Sequence, residues 1–216
     1  MNSSSCKSIG NLFCKTEKSS DCNCSNNSRQ SPIDINEPNI NLGKTSLLKV
    51  DYSEVQLKKY SDKEKYHPKT PQNVLFNGYI FTLVNVHFHR ISEHMYKGQK
   101  YDMEVHLVHK APDMDEYVVL AFFIKLVDKN ESDNIMDQAA ALQDDAIITI
   151  PNLEDRIYFI YKGSLTTDTF IPNVEWCIFQ EPLHMYISPE NREKHGSARQ
   201  IQTTVYASEV LTFTYN

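Results

Sequence analysis

The sequence predicts a mainly β domain with little helix, and three observations predict it. Short β-type runs follow one another along most of the chain, separated by turn residues: "NVLFNGYIFTLVNVHFH", "YDMEVHLVHK", "YVVLAFFIKLVD", "IITI", "RIYFIY", "VEWCIFQEPLHMYI" and "TTVYASEVLTFTY". Two of them, "YVVLAFFIKLV" and "RIYFIY", are apolar on both faces, as strands deep inside a sheet are. Only "ESDNIMDQAAALQDD" combines helix formers with apolar residues at helical spacing (Ile135, Ala139, Leu142), which predicts one short helix.

The 216 residues suit a single large domain, and 12 Tyr and 10 Phe supply buried area that the 40% hydrophobic content alone would not. No internal repeat and no domain boundary interrupts residues 29–216, whose ordered part begins near "RQSPIDI". The charged stretches "KKYSDKEKYHPKTPQ" and "SPENREKHGSARQ" read as surface loops.

Residues 1–28 read as a polar arm without periodicity, separable from the chemistry and a candidate surface for protein assembly partners. Cys6, Cys14, Cys22 and Cys24 fall within it, while Cys177 stands alone downstream as a buried small hydrophobe. The four can form two disulfides, which points to an oxidising compartment; as zinc ligands their spacing is unfamiliar. The sequons at Asn2, Asn26 and Asn130 carry little weight in a chain rich in Asn, Ser and Thr.

A net charge of −6 without a basic block argues against nucleic acid and anionic membranes as partners. No apolar run approaches the roughly 18 residues of a membrane span, and the first residues lack the apolar core of a secretory signal. The compartment is left open.

Chemistry concentrates in "VHFHRISEHMYKGQKYDMEVHLVHK", which holds His87, His89, His94, His106 and His109 of the chain's eight histidines. On a strand, His87 and His89 point to one face, about 7 Å apart. A turn around "MYKGQK", with Gly98 at the bend, brings back a second strand that is expected to set His106 opposite His89. Three imidazoles then reach one point, and three histidines leave the fourth tetrahedral position of a Zn²⁺ ion open, the arrangement of catalytic zinc. Glu104 faces the same way as His106 and can accept the outer ring N–H of a ligand, as Asn85 can beside His87. His109 falls on the opposite face and His94 near the turn, so both are expected to make structural hydrogen bonds.

"QSPIDI" (30–35), "FNGYIF" (76–81), "HFHRISEH" (87–94), "EVHLVH" (104–109), "YKGSLTT" (161–167), "VEWCIF" and, more faintly, "ARQIQTTVYAS" (198–208) occur in that order. Together they resemble the α-carbonic anhydrases from about Gln30 to Ser208. The resemblance implies a large, twisted, mostly antiparallel sheet with a few short helices, zinc as cofactor, and reversible hydration of carbon dioxide to bicarbonate. It implies that His87, His89 and His106 hold the metal. Thr166 matches the threonine that orients the attacking oxygen, and Glu93 the glutamate that accepts the threonine's proton. Val108, Val119, Leu165, Val174 and Trp176 match the apolar carbon dioxide pocket, Thr167 its polar mouth, and Ser31, His94 and Tyr161 a hydrogen-bond cluster beneath it. Arg199 matches a further arginine of the pattern.

The departures fall on the rim. Arg90 stands where the family has tryptophan, the loop between "HFH" and "SEH" is cut to two residues, and a hairpin before "HFH" is missing. Asp168 and Thr169 replace prolines, Phe170 replaces the cysteine of a disulfide in secreted members, and "ARQIQTTVYAS" falls several residues short of the pattern. Tyr79 occupies the place of the histidine that exports protons, with His67 or His195 as substitutes. A weakly active or inactive structural or assembly protein on the same fold is therefore the rival to an enzyme, with ester hydrolysis a possible side activity.

Overall fold

The computed structural model describes residues 29–36, 39–40, 47–60, 65–167, 170–203 and 210–215. The N-terminal arm and its cysteines lie outside the described residues. In chain order the strands are β1 (Asp34–Ile35), β2 (Asn39–Ile40), β3 (Leu48–Val50), β4 (Glu54–Lys59), β5 (Tyr66–Pro68), β6 (Asn73–Phe76), β7 (Tyr79–Arg90) and β8 (Met95–Tyr96). They continue with β9 (Met103–Lys110), β10 (Tyr117–Leu126), β11 (Asp145–Thr149), β12 (Ile157–Ser164), β13 (Pro172–Met185), β14 (Gly196–Ser197) and β15 (Leu211–Thr214). Thirteen of these form one sheet whose main path runs β11-β4-β5-β7-β9-β10-β13-β12-β15-β2, with β14 and β6 on β7 and β3 on β6.

Most neighbours pair antiparallel, as expected. The exceptions are the central pair β10/β13, the short edges β14/β7 and β15/β2, and the separate two-stranded pair β1/β8. The hydrophobic pattern explains why β9, β10 and β13 lie inside. Val105, Leu107, Val118, Leu120 and Phe122 pack into one core below the sheet, while Val108, Val119, Ala121, Phe123 and Trp176 pack into another above it. A strand apolar on both faces has no face to give to water. Cys177 is fully buried in the lower core, and burial pushes its thiol well above the usual range, so it behaves as the small hydrophobe expected. Among the described residues no helix is long and apolar enough to cross a membrane.

The predicted helix is cut to four residues, α1 (Asp137–Ala140). Its apolar spacing is used, since Met136, Ala139 and Ala140 are buried and Ile135 and Leu142 pack at the core's edge. The sheet takes the rest. Thr149 N–H bonds to Ile135 O and Ile147 N–H to Gln138 Oε1, which commits the following residues to β11. Leu142, with φ of 59°, has already left helical geometry. The two charged stretches are not wholly loops either. The first supplies β5, anchored by buried Tyr66 and its hydroxyl's bond to Gln143 O, and the second supplies α2 (Pro189–Arg192) and β14.

His109 is buried in the lower face, with Nε2 2.7 Å from the Tyr52 hydroxyl and Nδ1 3.3 Å from Val118 O, the structural role expected of it. Burial lowers its pKa to about 4. Since the imidazole is neutral in the folded chain, the unfolded chain alone takes up a proton between about pH 6.5 and about pH 4. This contribution to stability is therefore present above about pH 6.5 and lost as pH falls through that window. His109→Gln should be less stable at pH 7 yet show a shallower loss of urea-unfolding free energy between pH 7 and 4. Parallel pH profiles for the two proteins would contradict it.

Candidate metal centre and cleft

The centre is built from rows that run across the sheet. Because paired residues share a face, the register places Asn85, Val108, Val119, Trp176 and Tyr161 side by side across β7, β9, β10, β13 and β12. The next row begins with His87 opposite His106 and continues through Ala121 and Ile178. The third sets His89 opposite Glu104. The expected pairing of His106 with His89 is thus corrected by one row. Residues 91–102 do not form one tight hairpin: Met95–Tyr96 leaves to pair with β1, and Ser92 N–H closes the segment onto Tyr101 O. The Lys97–Gly98 bend, with φ of 51° and 75°, is where the sequence placed it. A shift of two residues preserves the face, so the three imidazoles still converge.

Their ring centroids stand 4.8–5.2 Å apart, and each offers a nitrogen within 4.8 Å of the other two. Neighbouring acceptors decide which nitrogen that is. Asn85 Oδ1 lies 2.8 Å from His87 Nδ1, Ser197 O on β14 lies 3.4 Å from His89 Nδ1, and Glu104 Oε1 lies 2.9 Å from His106 Nε2. The nitrogens left facing inward are Nε2, Nε2 and Nδ1. Burial first, then the neighbouring imidazoles, holds His87 well below the usual histidine range, and burial holds His89 at about 4. Both are neutral at pH 7.

Glu104 is fully buried, which by itself would raise its pKa, but His94 and His106 outweigh burial and hold the carboxyl well below the usual range. Its Oε1 also takes His94 Nδ1 at 2.7 Å and its Oε2 the His94 backbone N–H at 2.8 Å. The Tyr161 hydroxyl then lies 2.7 Å from both His94 Nε2 and Ser31 Oγ. The group His94, Glu104 and His106 could also be read as a metal site, but its members satisfy one another. It is a brace.

Sequence reasoning did not single out several parts of this brace. Gly163 passes so close to Ser31 Oγ and the Tyr161 ring that a Cβ would collide with both. Ser164 Oγ receives Ser31 N–H, and Ser164 O receives Trp176 Nε1–H. The backbone acceptor Ser197 O leaves no residue-type signal to find.

Glu93 is buried, with Oε1 accepting the Arg199 backbone N–H at 2.8 Å. Its Oε2 faces the imidazoles, 3.4 Å from His89 Nε2 and 4.0 Å from His106 Nδ1. Thr166 is buried beside the histidines, yet among the described residues no hydrogen bond joins it to Glu93. Arg199 also holds Ser31 O and Gln30 Oε1, tying the C-terminal segment to the start of the domain.

A cleft of about 220 Å³ opens over His87 and His106. Val108, Val119, Leu165, Thr166, Thr167 and Trp176 line it as expected, whereas Val174 is buried in the upper core and does not. Lys65, Lys110 and Tyr117 line it unexpectedly. Tyr79, 47% exposed, lies at the start of β7 outside the cleft wall. Neither proposed substitute is a loop histidine open to water. His67 sits on β5 with Nδ1 3.0 Å from Val84 O, and His195 is buried with Nε2 2.7 Å from Ala140 O.

A family model described as eukaryotic-type carbonic anhydrase matches residues 15–212, beginning within the stretch read as an arm. A carbonic anhydrase of Nostoc sp. is 34% identical over 112 residues, 48% of this chain and 42% of that protein. Dioscorin DB3S of Dioscorea polystachya is 28% identical over 148 residues, 61% of this chain and 55% of that protein. The chain thus spans about half the length of these relatives. The solved structure of Photobacterium profundum α-carbonic anhydrase superposes with a TM-score of 0.67 at 26% identity, covering 87% of this chain and 91% of that one.

Proposed function

The chain belongs to the eukaryotic-type carbonic anhydrase family, and on that premise we propose that it binds zinc through His87, His89 and His106 and hydrates carbon dioxide reversibly to bicarbonate. One observation carries the reading: three buried imidazoles turn their inner nitrogens to one point, each held by an acceptor on its far side. Metal ligands must be deprotonated where the ion binds, and such outer acceptors are what fix their tautomers.

The donor set fits zinc. Two buried polar atoms here, His89 Nε2 and Glu93 Oε2, have no hydrogen-bond partner, and a cation beside them would offset the cost of leaving them so. Bound zinc supplies a nucleophile at neutral pH by lowering the pKa of water to about 7. The chain's own residues do the rest. Val108, Val119, Leu165 and Trp176 offer carbon dioxide an apolar wall beside the histidines, and Thr167 stands at its polar end. Thr166 orients the attacking oxygen, with Glu93 Oε2 free to accept the threonine's proton.

The second reading, a weakly active or inactive structural or assembly protein that keeps zinc on the same fold, is favoured by the missing Thr166–Glu93 bond and by the similarity to a dioscorin. Metal content and carbon dioxide hydration by the purified protein separate the two. About one zinc per chain with turnover supports the enzyme; zinc without turnover supports the rival.

Proton export is expected to limit turnover. A relay works best with a pKa near that of its donor, a condition histidine at about 6.5 meets and tyrosine at about 10 does not. Tyr79→His should raise kcat while leaving kcat/KM nearly unchanged, and imidazole buffer should accelerate the parent more than the variant. A kcat that responds to neither contradicts this assignment.

A further inference from the structure

His195 takes no part in the metal cluster or its brace, yet it is only 7% exposed, while Glu193 and Lys194 just before it face solvent. Its Nε2 lies 2.7 Å from Ala140 O, and its ring centroid stands 5.3 Å from that of Phe88. A carbonyl oxygen only accepts, so that nitrogen carries the proton and donates it. Ala140 ends α1, where the last carbonyls of a helix lack partners within it. Phe88 stands between His87 and His89 on β7 and faces the lower core.

What His195 anchors is β14. Gly196 pairs with His89 and Ser197 with Arg90, and Ser197 O receives His89 Nδ1 at 3.4 Å. Of the three acceptors behind the imidazoles, Asn85 and Glu104 are side chains on the strands of the histidines they hold, two residues away. Ser197 O comes from a segment 108 residues away from His89, so something must hold that segment in place. A parallel pairing of two residues has little cohesion of its own. The exposed ion pair between Arg90 and Glu193 adds little on the solvent side. The buried side remains, where one line of contacts runs from Ala140 O through His195 and β14 to His89.

We propose that His195 is a positioning residue for the metal centre: by tying β14 to Ala140 O and Phe88, it holds Ser197 O against His89 and so keeps His89 Nε2 turned inward. The effect on metal affinity rests on the metal reading above, whereas the hold on His89 belongs to the metal-free chain as well. A core histidine that stabilises the fold without reaching His89 is the alternative.

The test compares His195→Leu, which keeps an apolar side chain against Phe88 but has no N–H, with His195→Gln, whose amide N–H can donate to the same carbonyl. Zinc affinity of the full chain is read by competition with a chelator. The His89 tautomer is read by long-range ¹H–¹⁵N correlation on the metal-free full chain at pH 7. His195→Leu should weaken zinc about 10-fold, the low end of the roughly 10–100-fold that loss of a ligand's hydrogen-bonding partner costs, because Ser197 O itself remains in the chain. In the metal-free chain it should turn His89 from a single Nδ1–H tautomer into a mixture, and His195→Gln should restore both readouts. An unchanged tautomer in His195→Leu overturns the proposal, whatever happens to its urea-unfolding free energy, and so does unchanged zinc affinity where the parent binds zinc. Equal losses in His195→Gln and His195→Leu also overturn it, since the bond to Ala140 O would then not be the cause. A parent chain that binds no zinc overturns the metal reading, and the tautomer alone then decides whether His195 holds His89.

Discussion

His106→Ala is expected to abolish stoichiometric zinc binding, and carbon dioxide hydration with it, while the chain stays folded. Losing a direct donor should weaken zinc by more than the roughly 10–100-fold that removal of a ligand's hydrogen-bonding partner costs. The fold survives because the charges beneath remain satisfied. Glu104 keeps His94 Nδ1 and the His94 backbone N–H, so the substitution strands no buried carboxylate. What is lost is ring packing against His87, His89 and Trp176, whose centroids lie 4.8–5.2 Å from that of His106. Zinc per chain by atomic absorption and the near-ultraviolet circular dichroism spectrum report the two parts separately. A folded variant that retains one tightly held zinc refutes the ligand assignment.

How much of this site was legible in the sequence follows from what each part depends on. The common face of His87, His89, Glu104 and His106 follows from the two-residue period of a strand, so it survived an error in the register. The register itself did not follow from the sequence. It depends on Met95–Tyr96 pairing with Asp34–Ile35, a contact between segments some 60 residues apart that no local pattern announces. The short helix read within 131–145 is present but only four residues long: the apolar spacing was real, and β11, which starts at Asp145, is tied back onto Ile135 and Gln138. Lys65 was hidden in a stretch whose charge reads as solvated loop, while the structure buries Tyr66 beside it and sets the lysine in the cleft lining. Val174 has the right residue type and the right strand, and its row neighbours Tyr117 and Lys110 line the cleft, but its own side chain is buried in the upper core.

Thr166→Ala is expected to leave zinc bound and to lower kcat/KM by about 10²-fold, about 2.7 kcal/mol, the size of effect that removing one positioned polar group has on a transition state. A threonine hydroxyl has a single proton, so donating it to Glu93 leaves only lone pairs toward the cleft, and an attacking oxygen must then donate its own proton to them. That fixes which of its lone pairs faces carbon dioxide. Glu93 is suited to the acceptor role. It is buried, one carboxylate oxygen is occupied by Arg199 N–H, and the other has no hydrogen-bond partner. The bond to Thr166 is not formed in the structure, so the relay requires it to form when metal and substrate enter, a tightening that catalytic hydrogen bonds commonly undergo. If the relay operates, Glu93→Gln should lower kcat/KM in the same direction, and the double variant should lose little more than Thr166→Ala alone, because the two groups act as a unit. Unchanged kcat/KM in Thr166→Ala, with zinc still bound, would remove the relay from the mechanism and leave a metal site on a scaffold that serves binding rather than catalysis.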